Sequence, residues 1–209
     1  MRPFLSFLLS LIVAAILLPA CDERVAMPKP RAYPRVIYPK KKYIPFRAGG
    51  CPFTFEMPEY AEIEQDVSFF DEGPKSDCWF TLHVRSLNAQ LHCSYYPINS
   101  RTRFDELVQD AFTMAQKHNI KANYIEEIPV YRSANRVYGV VFHLEGPTAS
   151  FYQFFLTDSV RHFLRGALYF RTQARPDSLA PVLDFMRQDM NRLIETLRWQ
   201  AAPPKSSKS

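Results

Sequence analysis

Apolar and polar residues alternate along seven short stretches of the chain, the pattern expected of β-strands that bury one face. These stretches are residues 51–57, 78–86, 90–97, 123–130, 136–145, 150–157 and 162–171. Short turn sequences such as Leu87-Asn-Ala89 and Thr157-Asp-Ser159 separate several of them. Strands joined by short connections usually lie side by side, so we expect antiparallel neighbours in one sheet.

Two other stretches have apolar residues at helical spacing. In the first, one face holds Phe104, Leu107, Val108, Ala111, Phe112 and Ala115, with Ser100 or Thr102 as candidate N-cap. The second runs from Leu179 to Leu197, and Ser178 as its N-cap would place Pro181 where no intrahelical bond is lost. Because helices apolar on one side cover sheets, we predict an α+β fold, a mainly antiparallel β-sheet covered by two amphipathic helices. The order of elements looks like the Mog1/PsbP-like sandwich, an analogy that implies no function.

The first 21 residues have the pattern of a bacterial lipoprotein signal. One basic residue precedes an uncharged apolar run from Phe4 to Leu18, and Leu18-Pro-Ala-Cys21 resembles a lipobox. We therefore predict a signal peptide over residues 1–20, cleavage before Cys21, and lipid attachment at Cys21. The alternative is an uncleaved transmembrane helix. Pro19 and the lack of a basic stop-transfer cluster argue against it, while the membrane and its face stay open.

The positive charge of the chain, formally +5, is concentrated in one segment. Residues 24–47 contain eight Lys or Arg and no acidic residue, whereas residues 48–200 contain fifteen basic and nineteen acidic residues. The folded part therefore offers nucleic acid no basic stripe, and no such partner is expected. Five prolines in the basic segment favour extended backbone.

The chain accordingly divides into four parts. After the signal peptide we predict a lipidated, Pro-rich basic tether over residues 21–47, a single α+β domain over residues 48–200, and a flexible tail over residues 201–209. The length left for the domain, and an apolar fraction of 47%, suit one packed core. Apolar residues such as Val36, Tyr38 and Tyr43 indicate that the second half of the tether packs on the domain or on a partner.

Three cysteines remain besides the one that receives lipid. Export implies an oxidising compartment, so one disulfide and one leftover thiol are expected. Cys51 and Cys78 each open a predicted strand, and we pair them because they could stand at matching ends of neighbouring strands. The alternative is a zinc or copper site of His83, His92 and Cys93. Because no fourth ligand lies at a recognisable spacing, we expect no metal and treat Cys93 as a buried apolar residue.

The motifs of familiar enzymes are missing from the sequence. It contains no phosphate-binding loop, no G-x-S-x-G and no H-E-x-x-H. Asp105-Glu106 falls in the opening turn of a predicted helix and Glu126-Glu127 on a predicted strand edge, both common places for solvated acids. We therefore expect no enzymatic activity, no catalytic residue and no cofactor.

Several longer strings resemble the gliding-motility lipoprotein GldD family. They include Met27-Pro-Lys-Pro-Arg-Ala-Tyr-Pro-Arg-Val-Ile-Tyr-Pro39, Phe151-Tyr-Gln-Phe-Phe-Leu-Thr-Asp-Ser159 and Asp189-Met-Asn-Arg-Leu-Ile-Glu-Thr-Leu-Arg-Trp199. The likeness runs from the lipobox to Trp199. Cys93 and the tail after Trp199 depart from the family pattern.

The resemblance implies a non-enzymatic cell-envelope lipoprotein, held to a membrane by its N-terminal lipid and facing the periplasm or the cell surface. It further implies a role in gliding motility and in the linked type IX secretion of adhesins. The implied partners are the membrane and other gliding or type IX secretion proteins. The resemblance supplies no catalytic residue, only Cys21 as the lipid site.

A different class of function is an envelope lipoprotein that carries or senses a small apolar ligand. In this hypothesis Tyr95, Tyr96, Tyr152 and Tyr169 line an apolar pocket. A deep cavity would favour the carrier, whereas a flat exposed aromatic patch would favour a module that binds another envelope protein. A hydrolase, the third class, would need buried carboxylates or histidines with perturbed pKa in a cleft.

Overall fold

The computed structural model describes residues 35–46, 50–65, 78–172 and 175–200. All of them belong to the second of two compact units, Pro34–Ser209. The predicted signal peptide 1–20, the lipid site Cys21, the first part of the predicted tether and the tail 201–209 lie outside the described residues. The division into these parts stays a prediction.

The described residues form eleven strands and two α-helices. In chain order they are β1 (Tyr43–Pro45), β2 (Phe53–Thr54), β3 (Glu56–Pro58), β4 (Glu62–Gln65), β5 (Phe80–Val84), β6 (Ala89–Pro97), α1 (Arg101–Gln116), β7 (Tyr124–Arg132), β8 (Val137–Glu145), β9 (Ser150–Thr157), β10 (His162–Phe170), α2 (Pro176–Thr196) and β11 (Arg198–Trp199). Short 3₁₀ turns follow β5, α1 and β7.

Seven of the strands form one antiparallel sheet in the order β4-β5-β6-β10-β9-β8-β7. Successive side chains of a strand point to opposite faces, and the sheet accordingly separates two apolar clusters. On β9, Phe154 packs in the cluster that contains α2, and its neighbour Phe155 packs in the cluster that contains α1. The predicted fold class, α+β with an antiparallel sheet covered by two helices, is confirmed.

Two small sheets lie on the α2 side, where their apolar residues join the α2 cluster. They pair β1 with β3 and β2 with β11. The predicted strand 51–57 is therefore two short strands in two different small sheets. The sequence pattern missed β1, β4 and β11, because all four side chains of β4 are exposed and the other two strands are too short to show an alternation.

The two helices begin differently from each other. The hydroxyl of Ser100 caps α1 by accepting a hydrogen bond from the N–H of Arg103 at 3.1 Å, so the first of the two candidate caps is the one used. For α2 the prediction of Ser178 as N-cap is wrong, since the helix begins at Pro176 and the N-cap is Arg175. A proline is well suited to the first helical position because its φ is already helical. Pro181 consequently lies inside the helix and leaves one backbone carbonyl without its usual N–H donor.

Two glycines occupy contrasting positions. Gly139 on β8 lies so close to β9 that an added Cβ would overlap the carbonyl oxygen of Phe155. Gly50 adopts a φ of +83° in the left-handed region, and an added Cβ there would meet no atom within 4 Å. Only the first position therefore needs glycine for lack of space.

Candidate binding cleft and N-terminal strap

The predicted partners Cys51 and Cys78 are joined by a disulfide in the structure, with their Cα atoms 5.4 Å apart. This separation is ordinary for a disulfide. The strands that follow the two cysteines, β2 and β5, are not neighbours as we expected, because they belong to different sheets. The bond therefore ties a small sheet to the large one. The pairing in the exported protein stays a prediction.

Replacing Cys51 and Cys78 together by serine is expected to lower the free energy of unfolding by about 3 kcal/mol, because the bond closes a loop of 27 residues. Urea unfolding with and without reductant measures the loss. Cys93→Ala is the matched control, since its stability should still fall on reduction whereas that of the double variant should not. Non-reducing peptide mapping that finds Cys51 and Cys78 as free thiols would contradict the pairing.

The alternative metal site of His83, His92 and Cys93 does not form in the structure. Strand alternation places both histidines on one face of the sheet and Cys93 on the other, where it is completely buried. Burial raises the pKa of the Cys93 thiol, so it stays protonated and behaves as an apolar side chain. Among the described residues, no three His, Cys, Asp or Glu side chains come together in a way that could hold a metal ion.

The acid pairs of the sequence lie on the surface. Asp105 and Glu106 are exposed and form ion pairs with Arg101 and Arg103 of the same helix. Such pairs contribute little to stability and leave no carboxylate in a cleft. The surface interpretation of this pair therefore agrees with the structure.

Residues 35–46, here called the strap, pack on the α2 side of the domain. Their main anchor is Asp189 of α2, a carboxylate that is completely buried. Its Oδ1 accepts hydrogen bonds from Lys41 Nζ at 2.6 Å and from the Tyr43 hydroxyl at 3.0 Å. Its Oδ2 accepts one from the Tyr60 hydroxyl at 2.6 Å. Lys41 also donates to the carbonyl of Phe185 and lies 3.4 Å from the centroid of that ring.

The protonation states of this cluster keep the hydrogen bonds to Asp189 in place. Burial and the negative charge of Asp189 raise the pKa of Tyr43 to about 12 and that of Tyr60 further, so both hydroxyls remain donors. Burial lowers the pKa of Lys41, while the hydrogen bond from its ammonium to Asp189 opposes the change. Because both carboxylate oxygens are already occupied, the arrangement is suited to holding the strap rather than to transferring protons.

A cleft with a volume of about 860 Å³ opens on the opposite face of the sheet. It lies over β6 and β10, beside the end of α1. Three aromatic side chains form much of its wall, namely Trp79, Tyr96 and Tyr169, whereas Phe170 borders the cleft but packs its ring against Phe151 on the α2 side. This volume falls in the range of sites that hold small molecules.

The predicted tyrosines divide between the two faces of the sheet. Tyr96 and Tyr169 line the cleft. Tyr95 and Tyr152 point the other way, where the Tyr95 hydroxyl is hydrogen-bonded to His162 Nδ1 at 2.8 Å and that of Tyr152 donates to Asn191 at 3.1 Å. The four tyrosines therefore do not form one pocket, which is the outcome that period-two alternation requires for adjacent residues.

The cleft is more basic than the apolar pocket that we expected from the sequence. Its lining includes Lys117, Arg165 and Arg171, and two histidines, His92 and His118. Burial, with neighbouring positive charge, lowers the pKa of His92 to about 4 and also lowers that of His118. Both imidazoles are therefore neutral at pH 7, and the permanent charge of the lining comes from one lysine and two arginines.

The exposed large apolar residues are scattered. Those that the structure describes are Ile37, Tyr38, Ile63, Tyr124, Tyr131 and Val160. Ile63 lies on β4, whereas Tyr124 and Tyr131 lie on β7. These two strands form opposite edges of the large sheet. The exposed large apolar residues are thus spread over both edges of the sheet and other parts of the described surface, whereas the aromatic residues of the cleft share one concave site.

None of the helices that the structure describes is long and apolar enough to cross a membrane.

In a comparison with protein families, residues 23–199 fit the sequence model of the gliding motility lipoprotein GldD family. No curated protein matches the chain. Among solved structures, the solution structure of cyanobacterial PsbP (CyanoP) from Synechocystis sp. PCC 6803 is similar, with 10% sequence identity, coverage of 77% of this chain and 94% of that one, and a TM-score of 0.41. At this TM-score the likeness supports no argument about function.

Proposed function

The chain belongs to the gliding motility lipoprotein GldD family, and from this premise we propose that it is a non-enzymatic, membrane-anchored component of the gliding machinery and of the linked type IX secretion system. The family match is the observation that supports the proposal, since it spans 23–199 and so includes every described residue but the last. Membership itself places the chain among envelope-associated lipoproteins that serve gliding.

The proposed anchor is lipid on Cys21. Its support is the sequence Leu18-Pro-Ala-Cys21 at the end of an apolar run. Acyl chains contribute about 0.8 kcal/mol per buried CH₂, so several chains on one residue hold a protein firmly to a bilayer. Confinement to the membrane raises the effective concentration of the domain near its partners, and weak contacts then suffice for assembly.

The absence of an enzymatic role is part of the proposal. Its support is the state of the buried acid Asp189, whose two oxygens are both engaged by hydrogen-bond donors of the domain. The role in adhesin secretion rests on the family resemblance, as do the proposed partners, which are other envelope proteins of the same machinery.

A strain whose only copy has Cys21→Ser is expected to lose both surface spreading and adhesin export, because the domain is no longer held at its membrane. The protein should also lose labelling by radioactive palmitate. Cys93→Ala is the matched control, since it removes a buried cysteine and should keep the label and the spreading. Labelling that persists in Cys21→Ser would contradict the anchor, and normal spreading without the label would contradict its importance.

The cleft over β6 and β10 favours a second candidate function, that of a lipoprotein that carries or senses a small ligand. The supporting observation is a concave site of about 860 Å³ with aromatic walls. This candidate is compatible with the first, because a component of a machine can also respond to a ligand.

A further inference from the structure

The polar groups of the cleft are unusual in two respects. Among the residues that the structure describes, no Asp or Glu is part of its lining, although three of the lining residues are permanently charged cations. In addition, Arg165 forms no ion pair with any carboxylate of the described residues. Its side chain is partly buried, and burial lowers the pKa of the guanidinium. A partly buried guanidinium that faces a cleft and has no ion pair with the described residues is a position that an anion can occupy.

A second polar side chain of the cleft also has no partner. Gln153 of β9 is only 3% exposed and lines the cleft, yet its amide forms no hydrogen bond with the part of the chain that the structure describes. The amide is accessible from the open cleft, where a ligand or water can satisfy it. Gln153 and Arg165 lie on the neighbouring strands β9 and β10, where Gln153 is paired with Ala167, two residues from Arg165.

We propose that this cleft binds an anionic amphiphile, a small molecule with one carboxylate or phosphate head and an apolar body. Arg165 and Gln153 hold the head, because a guanidinium and an amide together offer several N–H donors to its oxygens. Trp79, Tyr96 and Tyr169 contact the body. The inference deepens the carrier candidate and is independent of the motility proposal.

Two features of the site act against an anion and are weaker than those that favour it. The end of α1 lies at the cleft, and the last carbonyls of a helix contribute a partial negative charge of about one half. Asp110 attracts Arg165, but this attraction raises the pKa of the arginine less than the interactions with Tyr169 and Tyr96 do. Three full positive charges therefore outweigh both.

The aromatic wall is rigid enough to select a body. The indole Nε1 of Trp79 donates to the carbonyl of Tyr95 at 3.1 Å, and its ring meets that of Tyr96 edge to face at 5.5 Å between centroids. Both rings are thus fixed before a ligand arrives, which lowers the entropy lost on binding. Trp79 also provides a spectroscopic probe inside the cleft, because the second tryptophan, Trp199, is not part of the lining.

The test uses residues 21–209 with Cys21→Ser, a chain that contains the whole second unit, Pro34–Ser209. In a Trp199→Phe background, the fluorescence of Trp79 is titrated with sodium octanoate, octyl phosphate, octanol and sodium acetate. The two octyl anions should give saturable changes, and the tighter of them identifies the preferred head. Isothermal titration calorimetry on the protein with both tryptophans repeats the measurement without the background substitution.

Arg165→Gln should weaken binding of the octyl anion by about tenfold or more, as expected for a lost charge-assisted hydrogen bond. Lys117→Gln should weaken it less, because that lysine is exposed, and Lys121→Gln is the matched control outside the cleft and should leave it unchanged. Octanol that binds as tightly as octanoate would overturn the proposal, as would acetate that competes equally well. So would the lack of saturable binding by either octyl anion.

A stability measurement separates a binding role from a structural one. Since neither Arg165 nor Gln153 forms an ion pair or a side-chain hydrogen bond with the described residues, Arg165→Gln and Gln153→Leu should leave the melting temperature of the ligand-free protein unchanged or raise it. A clear fall for both variants would show that these side chains hold the fold and would overturn the assignment. Gln153→Leu should also weaken octanoate binding, which keeps the proposal testable if Arg165→Gln does not fold.

Discussion

Asp189→Ala is expected to lower the free energy of unfolding by about 3–5 kcal/mol, the usual cost of removing one partner from a buried ion pair. The substitution deprives Lys41, Tyr43 and Tyr60 of their common acceptor. Because all three sit against the α2 side, the strap loses its main polar anchor while the apolar core is untouched. Equilibrium urea unfolding measures the loss, and amide hydrogen exchange of residues 41–46 should show the strap opening more often than the rest of the domain.

Asp184→Ala is the matched control for this prediction. Asp184 lies on the same helix, but it is exposed, and its one ion pair among the described residues is with Arg187 one turn away. Its loss should change stability by at most about 0.5 kcal/mol, and the gain in helix propensity on going to alanine is the same in both variants. Equal losses at the two positions would mean that the buried carboxylate is not what holds the strap.

Gly139→Ala is expected to cost at least about 3 kcal/mol, because the added methyl group overlaps backbone and cannot be relieved by a rotamer change. The atom that it meets is the carbonyl oxygen of Phe155 on β9, in the interior of the large sheet. Separating β8 from β9 to make room would weaken their hydrogen bonds and the aromatic packing on both faces. Thermal and urea unfolding measure the effect.

Gly50→Ala distinguishes lack of space from backbone strain. At Gly50 the φ of +83° disfavours alanine, but the space around the new Cβ is open, so the cost should be only that of the strained backbone, about 1–2 kcal/mol. The larger loss expected at Gly139 comes from the overlap with the carbonyl of Phe155, which has no counterpart at Gly50. A loss at Gly50 as large as that at Gly139 would contradict the close approach of β8 and β9.

Local sequence patterns were sufficient to predict most strands of the large sheet. The sequence pattern predicted both ends of β9, whereas the burial of all eight of its residues was not predicted, because alternation indicates only one buried face. Ser100 was one of two candidate caps that the sequence offered, because its bond is made to a residue three positions away. The start of α2 was misplaced because Pro176 and Ser178 are both acceptable near a helix start, and local preferences did not decide between them.

The sites depended on contacts that local patterns do not contain. Lys41 is the middle one of three consecutive lysines, and nothing in that run distinguishes it from its neighbours. Its partner is 148 positions away. One signal was available, namely that Asp189 falls beside Met186, Met190 and Leu193 on the apolar face of the predicted helix, where an acid must find donors. The basic cleft required knowing which residues of β6 and β10 share a face, which only the strand register provides.

The packing of the strap also limits how far the domain can stand from its membrane. With lipid on Cys21, only residues 22–34, thirteen in number, separate the anchor from the first described residue, Arg35. Fully extended, that stretch spans at most about 50 Å, whereas a tether that reached residue 47 would span about 90 Å. On the proposal that Cys21 carries the lipid, a partner would have to meet the domain close to the bilayer, and inserting residues before Arg35 is the direct way to change that height.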